Sequence, residues 1–144
     1  MPNLKNITEV FNKVRSSMIY KSDQAVFGKL EYWKSWKDEI AQGKRFLYDD
    51  CDGFALTMAE MLVEAGFEKK DVAICFCSIV MSSSKQEEYH LLCKVRNPED
   101  NIWYVMDNNV SKPMKRNGAG GQGWKFKYIS CMYADKPGEW VEDI

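Results

Sequence analysis

At 144 residues the chain has the length of one domain, residues 1–144, and a fold of that size buries about 70% of the surface its unfolded chain exposes, so its core requires neither disulfides nor a metal. Hydrophobic residues at 45% and aromatics at 13% exclude a disordered chain. Twenty Lys and Arg against twenty-one Asp and Glu leave a formal charge of -1 with no block of five or six like charges, and no run approaches the ~20 apolar residues that span a bilayer; neither nucleic acid nor membrane is expected as a partner.

Ile7, Val10, Phe11, Val14 and Met18 follow the i, i+3, i+4 spacing of one helix face, with Thr8 and Glu9 opposite, which predicts a first helix from about Leu4 to Tyr20. Lys5, Glu9, Lys13 and Arg15 break up its apolar residues, so it does not read as a signal peptide and the cytoplasm is the expected compartment. From Gln24 to Gln42, Val26, Phe27, Leu30, Trp33, Trp36 and Ile40 recur at looser helical spacing and stop at Gly43, predicting a second, broken helix.

The run Asp49-Asp50-Cys51-Asp52-Gly53-Phe54-Ala55 comes next. It sets a cysteine at the start of an apolar stripe of Phe54, Ala55, Met58, Met61, Leu62 and Ala65 that ends at Gly66, a central helix. Backbone N–H groups at a helix start favour a thiolate, so Cys51 is a candidate nucleophile. The other cysteines, Cys75, Cys77, Cys93 and Cys131, read as buried thiols: the total is odd, the chain is too large for a disulfide miniprotein, and one histidine with no C-x-x-C argues against zinc.

Val72 to Met81 is almost continuously apolar and predicts a strand buried on both faces, followed by a polar loop over Ser82 to Glu88. Tyr89 to Val95 and Ile102 to Asp107 predict an antiparallel hairpin across the turn-rich connection Arg96 to Asn101. Pairing Val95 with Ile102 sets His90, the only histidine, directly opposite Asp107, within reach for a carboxylate to hold an imidazole N–H. A shift of one residue would separate them onto opposite faces. Gly118, Gly120, Gly121 and Gly123 then mark a loop, and Trp124 to Ser130 a last strand. Helices first and strands after predict an α+β fold.

Each of the three candidates has a commoner structural reading by itself. Taken together, a cysteine at a helix start and an opposed His and Asp have the order and roles of nucleophile, general base and orienting group, with the Cys51 backbone N–H as an oxyanion donor.

The residues resemble the bacterial transglutaminase-like cysteine peptidases of the papain-like and transglutaminase-like superfamily. That family's nucleophile motif looks like Gly-Asp-Cys-Glu-Asp-Tyr/Phe-Ala after a segment with Trp and Glu; here stand Trp36-Lys37-Asp38-Glu39 and Asp50-Cys51-Asp52-Gly53-Phe54-Ala55. Its His begins a strand and its Asp ends the following one before Asn, similar to His90-Leu91-Leu92 and Met106-Asp107-Asn108. The resemblance covers Trp33 to Asn109 and implies N-terminal helices, a nucleophile starting a central helix, and an antiparallel sheet. It also implies a Cys51-His90-Asp107 thiol hydrolase acting on a protein or peptide substrate without a required cofactor. Some family members bind calcium through acids flanking the Cys, which makes Asp49, Asp50 and Asp52 candidate ligands, although Gly53 replaces one carboxylate. Acyl transfer to an amine and an inert binding protein are the alternatives. Known members tend to be exported; a short chain lacking an export signal is expected to act in a cytoplasm, including that of a virus-infected host cell. Oligomeric state is not expressed in the sequence.

Overall fold

Helix α1 (Leu4–Ser17) starts where Asn3 caps it: the Asn3 side-chain oxygen accepts from the Lys5 and Asn6 N–H groups at 3.0 and 3.4 Å, and the Asn6 side chain accepts from the Asn3 N–H at 2.9 Å. This reciprocal cap satisfies N–H groups that a helix start otherwise leaves without partners. The computed structural model describes residues 2–20, 35–44, 47–49, 51–81, 87–107, 111–116 and 124–142, and for residues 20, 47–49, 51, 52, 79–81, 87–89 and 124–126 the backbone alone.

The first predicted helix is shorter than its periodicity implied. Met18 turns to extended backbone, and β1 (Met18–Tyr20) pairs in parallel with β2 (Leu47–Asp49), matching Tyr20 with Asp49. Met18 stays buried at 4% exposure, so its place on the apolar stripe is served equally well by a strand. Of the second predicted helix, the described part is α2 (Lys37–Ala41); the stretch 21–34 lies outside the described residues. Gly43 follows α2 at φ +79°, and the Gly43 and Lys44 N–H groups donate to the Ile40 and Glu39 carbonyls at 3.0 Å, the left-handed ending predicted there.

Helix α3 (Cys51–Glu64) is the central helix, ending as Gly66 adopts φ +108° and the Phe67 N–H donates to the Leu62 carbonyl at 3.2 Å. A single 3-10 turn, Lys69–Asp71, leads into β3 (Val72–Met81). Strands β4 (Glu87–Arg96), β5 (Trp103–Met106), β6 (Met114–Lys115), β7 (Trp124–Tyr133) and β8 (Val141–Glu142) complete a six-stranded antiparallel sheet in the order β6-β5-β4-β3-β7-β8. Glu87 and Glu88, expected in a loop, belong to β4, and the last predicted strand runs on to Tyr133.

Strand alternation divides the apolar residues into two clusters. Val72, Ile74, Leu91, Cys93, Val95, Tyr104 and Met106 pack with Ile7, Phe11 and Val14 of α1 and Phe54, Met58 and Leu62 of α3. On the other face Ala73, Cys75, Cys77, Leu92, Val105 and Cys131 pack with Tyr128, Tyr133 and Met114. Both faces of β3 are therefore buried, as predicted. The Tyr128 hydroxyl of β7 donates to the carbonyl of Arg116, just past β6, at 3.2 Å, although β6 and β7 are four positions apart in the sheet. The sheet is thus curled around its second face, where Ala and Cys side chains are small enough to fill a tight concavity.

Candidate active site

The β4–β5 turn sets the register of the site. The Asn97 N–H donates to the Ile102 carbonyl at 2.9 Å and the Asn101 N–H returns to the Asn97 carbonyl at 2.8 Å, closing a loop of four residues with Asn101 at φ 61°, a left-handed position Asn tolerates. Asp100 accepts from the Ile102 N–H at 2.9 Å and from the Tyr104 hydroxyl at 2.9 Å; the Ile102 bond leads in holding its carboxyl below the usual range.

This turn corrects the predicted register. Val95 pairs with Tyr104 and Cys93 with Met106, so the hairpin is displaced by two residues from a Val95–Ile102 pairing. Asp107 continues the register toward Leu92, and His90 lies one diagonal step away rather than directly opposite. Because the side-chain period is two, this displacement keeps both residues on one face, and a diagonal pair remains within reach of long side chains. The His90 Nε2 is hydrogen-bonded to Asp107 Oδ1, with His90 8% and Asp107 2% exposed. Nε2 therefore carries the proton toward the carboxylate, and Nδ1 is the ring nitrogen left to accept one. His90 also pairs with Cys77 of β3, whose thiol donates to the His90 carbonyl at 3.5 Å.

Cys75, Cys77, Cys93 and Cys131 are reduced thiols with 0% exposure. Burial pushes the Cys93 thiol far above its ordinary range, so it stays protonated and unreactive. Cys51 is the first residue of α3. The side chains of Cys51, Asp49 and Asp52, and Asp50 altogether, lie outside the described residues, as does the glycine-rich stretch 117–123. Gly53 is buried.

α3 is tied down along its length. Thr57, fully buried, accepts the Trp36 N–H at 3.0 Å. A cavity of about 350 Å³ is lined by Leu56, Ala59 and Val63 of α3 with Ala73 and Ile74 at the start of β3 and Met132 near the end of β7; it does not reach His90 or Asp107. Its lining sets the C-terminal half of α3 beside the start of β3. The N-terminus of α3 therefore points to the other end of the sheet, where β3 finishes, β4 carries His90 in its first half, and Asp107 directly follows β5. The alternation of β4 turns His90 toward the face of Cys77 and Leu92 rather than the face α3 covers. Arg116 and Tyr128, absent from the predicted site, lie on this same side: Tyr128 pairs with Cys77 as His90 does, and the Arg116 guanidinium sits 4.0 Å over the Tyr128 ring. Nothing in their spacing announces a contact that the curl of the sheet creates.

The sequence matches the family model of the bacterial transglutaminase-like cysteine proteinases over residues 2–143. It matches no curated protein. The fold is similar to solved structures of LapG from Legionella pneumophila. One is 20% identical with a TM-score of 0.63, covering 92% of this chain and 66% of that one. A calcium-bound LapG is 19% identical with a TM-score of 0.64, covering 94% and 71%. An EGTA-treated LapG is 18% identical with a TM-score of 0.65, covering 98% and 72%. The chain spans about two thirds of the length of the first of these. The likeness is one of fold: N-terminal helices packed on an antiparallel sheet, the α+β transglutaminase-like arrangement predicted above.

Proposed function

Since the chain belongs to the bacterial transglutaminase-like cysteine proteinases, we propose that it cleaves a peptide or amide bond of a protein substrate with Cys51 as nucleophile, His90 as base and acid, and Asp107 as the group that orients His90. The observation that carries this reading is the buried His90–Asp107 hydrogen bond at the end of the sheet toward which α3 points. Helix and strand rises support it. Ala59 of α3 shares a cavity wall with Ala73 and Ile74; eight residues back along the helix is about 12 Å, or about four strand residues, the level of Cys77 and its partner His90. The start of α3 and His90 then stand at the same level along the sheet.

The chemistry follows from the tautomer. His90 Nδ1 takes the Cys51 thiol proton while Nε2–H stays on Asp107. The Cys51 sulfur bonds to the substrate carbonyl carbon, the C–N bond breaks, and the leaving amine takes the proton from Nδ1. Water gives a proton to Nδ1 and its oxygen attacks the thioester, releasing the acid and restoring the thiol. The Cys51 backbone N–H, at the α3 start, stabilises the oxyanion formed in each half.

Asp49, Asp50 and Asp52 oppose a thiolate by like-charge repulsion. Three carboxylates within four residues are the hard oxygen donors that calcium takes, and Gly53 contributes no side-chain oxygen, so backbone carbonyls or waters would fill the remaining positions. We extend calcium binding to these three residues here; the bound ion would supply positive charge beside the thiol.

Iodoacetamide labelling at neutral pH tests the core of the reading, because the other four cysteines are buried and the native protein reports on Cys51. Rapid labelling of Cys51, slowed at least about tenfold in His90→Ala, is expected, together with loss of all peptide cleavage in Cys51→Ala. Labelling at the rate of an ordinary exposed thiol would overturn it. Added amine during turnover separates hydrolysis from acyl transfer, since transfer leaves the amine in the product.

A further inference from the structure

Charge is segregated along this chain. Residues 108–134 contain five of its twenty Lys and Arg, at positions 112, 115, 116, 125 and 127, and none of its twenty-one Asp and Glu, so the rest of the chain is net -6. The basic segment begins immediately after Asp107.

Folding brings the strands that carry these cations together on one flank of the site, since Arg116, just past β6, reaches Tyr128 of β7. β6 runs antiparallel to β5, so the residues preceding Met114, Lys112 among them, lie toward the Asp107 end of β5. Cys77 pairs with His90 on one side and Tyr128 on the other, which sets Tyr128 in the cross-strand row of His90 at two strand spacings, about 10 Å. Arg116 stacks over Tyr128 at 4.0 Å on the face of His90, while alternation turns Lys127, the chain neighbour of Tyr128, and Lys115, the partner of Tyr104, to the other side of the same strands, so this flank carries positive charge on both of its faces. Lys112, Lys115 and Lys127 are exposed and make no ion pair among the described residues. Lysine on an edge strand such as β6 also discourages strand pairing between molecules, but that role does not require acids to be missing from β7, which is not an edge.

We propose that the flank formed by Lys112, Lys115, Arg116 and Lys127 recognises a run of Asp and Glu in the protein substrate next to the bond that is cleaved. The inference rests on the peptidase reading of the same site and names its substrate class: a protein with an acidic segment bordering the scissile position. Oppositely charged surfaces raise encounter rates and set the register of the bound chain, and they weaken with salt.

Binding to the Cys51→Ala protein tests this without turnover. The probes are fluorescein-labelled dodecapeptides alternating Glu with Ala, Gln with Ala or Lys with Ala, and a single-stranded 12-mer oligodeoxynucleotide, read by anisotropy. The Glu peptide is expected to bind at least about tenfold more tightly than the other two peptides and the oligonucleotide, and to lose about tenfold in affinity between 0.05 and 0.5 M NaCl. Lys112→Glu with Lys115→Glu, and separately Lys127→Glu, should weaken it. Lys5→Glu with Lys13→Glu, the same charge change on exposed positions of α1, should not. Equal binding of the Glu and Gln peptides, an equal loss from the α1 variant, or tighter binding of the oligonucleotide would overturn the proposal. Slow Cys51 labelling with Glu-peptide binding intact would remove the peptidase reading and leave the acidic-segment surface standing.

Discussion

Asp107 is the residue on which the site's geometry turns. It directly follows β5, is 2% exposed, and offers an oxygen to His90 Nε2, so it determines which ring nitrogen faces outward. Asp107→Asn keeps an acceptor oxygen at nearly the same place and Asp107→Ala removes it. The alanine variant is therefore expected to lower the rate of Cys51 labelling and any peptide cleavage by about a hundredfold, and the asparagine variant by much less, with circular dichroism confirming that both fold. Equal losses would mean that the negative charge of Asp107, rather than its hydrogen bond to the ring, is what His90 needs. His90 and Asp107 were legible as a pair from spacing alone, because two-residue alternation preserves their common face under a two-residue slip. The slip itself was not legible: whether Arg96 to Asn101 forms a six-residue connection or a four-residue turn closed by Asn97 and Ile102 depends on Asn101 entering the left-handed region, for which the sequence offers a tolerance and not a requirement.

Among the elements, those with a long periodic pattern were readable and those of two or three residues were not. α3 begins at Cys51 and β3 spans Val72–Met81 as predicted, since a fourteen-residue stripe or a ten-residue apolar run repeats its signal several times. β1, β2, β6 and β8 hold two or three residues each, too few for any period, and exist because a neighbouring strand offers hydrogen bonds. α1 illustrates both limits: its stripe was clear, but its last three expected residues pair with β2 instead. Its start depends on Asn3, and Asn3→Ala is expected to cost about 1 kcal/mol, a fall of roughly 2–4 °C in melting temperature for a chain of this size. Asn3→Ser should recover most of it in the same thermal unfolding measurement. A melting temperature unmoved by Asn3→Ala would mean that packing of Ile7, Phe11 and Val14 alone holds the helix.

At the scale of the molecule, two layers meet on one sheet: α1 and α3 cover one face, and the curl of the sheet closes over the other. The Asp49 to Asp52 run joins β2 to α3, so an ion held there would link the small parallel pair to the central helix. A ligand that binds only the folded chain raises its stability by mass action, by about 2.7 kcal/mol at one hundred times its dissociation constant. Calcium is accordingly expected to raise the melting temperature, EGTA to reverse the rise, and Asp50→Ala with Asp52→Ala to abolish it; a melting temperature indifferent to calcium would remove the ion from the site. By itself the sequence determined the α+β class, the helix start at Cys51, the doubly buried β3 and the candidates Cys51, His90 and Asp107, because each is written in local periodicity or in residue chemistry. Only the tertiary structure decided the turn that sets the β4–β5 register, the choice of Nε2 for the Asp107 bond, and the approach of Arg116 to Tyr128, because each depends on where strands distant in the chain come to lie when the sheet curls around a core of alanine and cysteine.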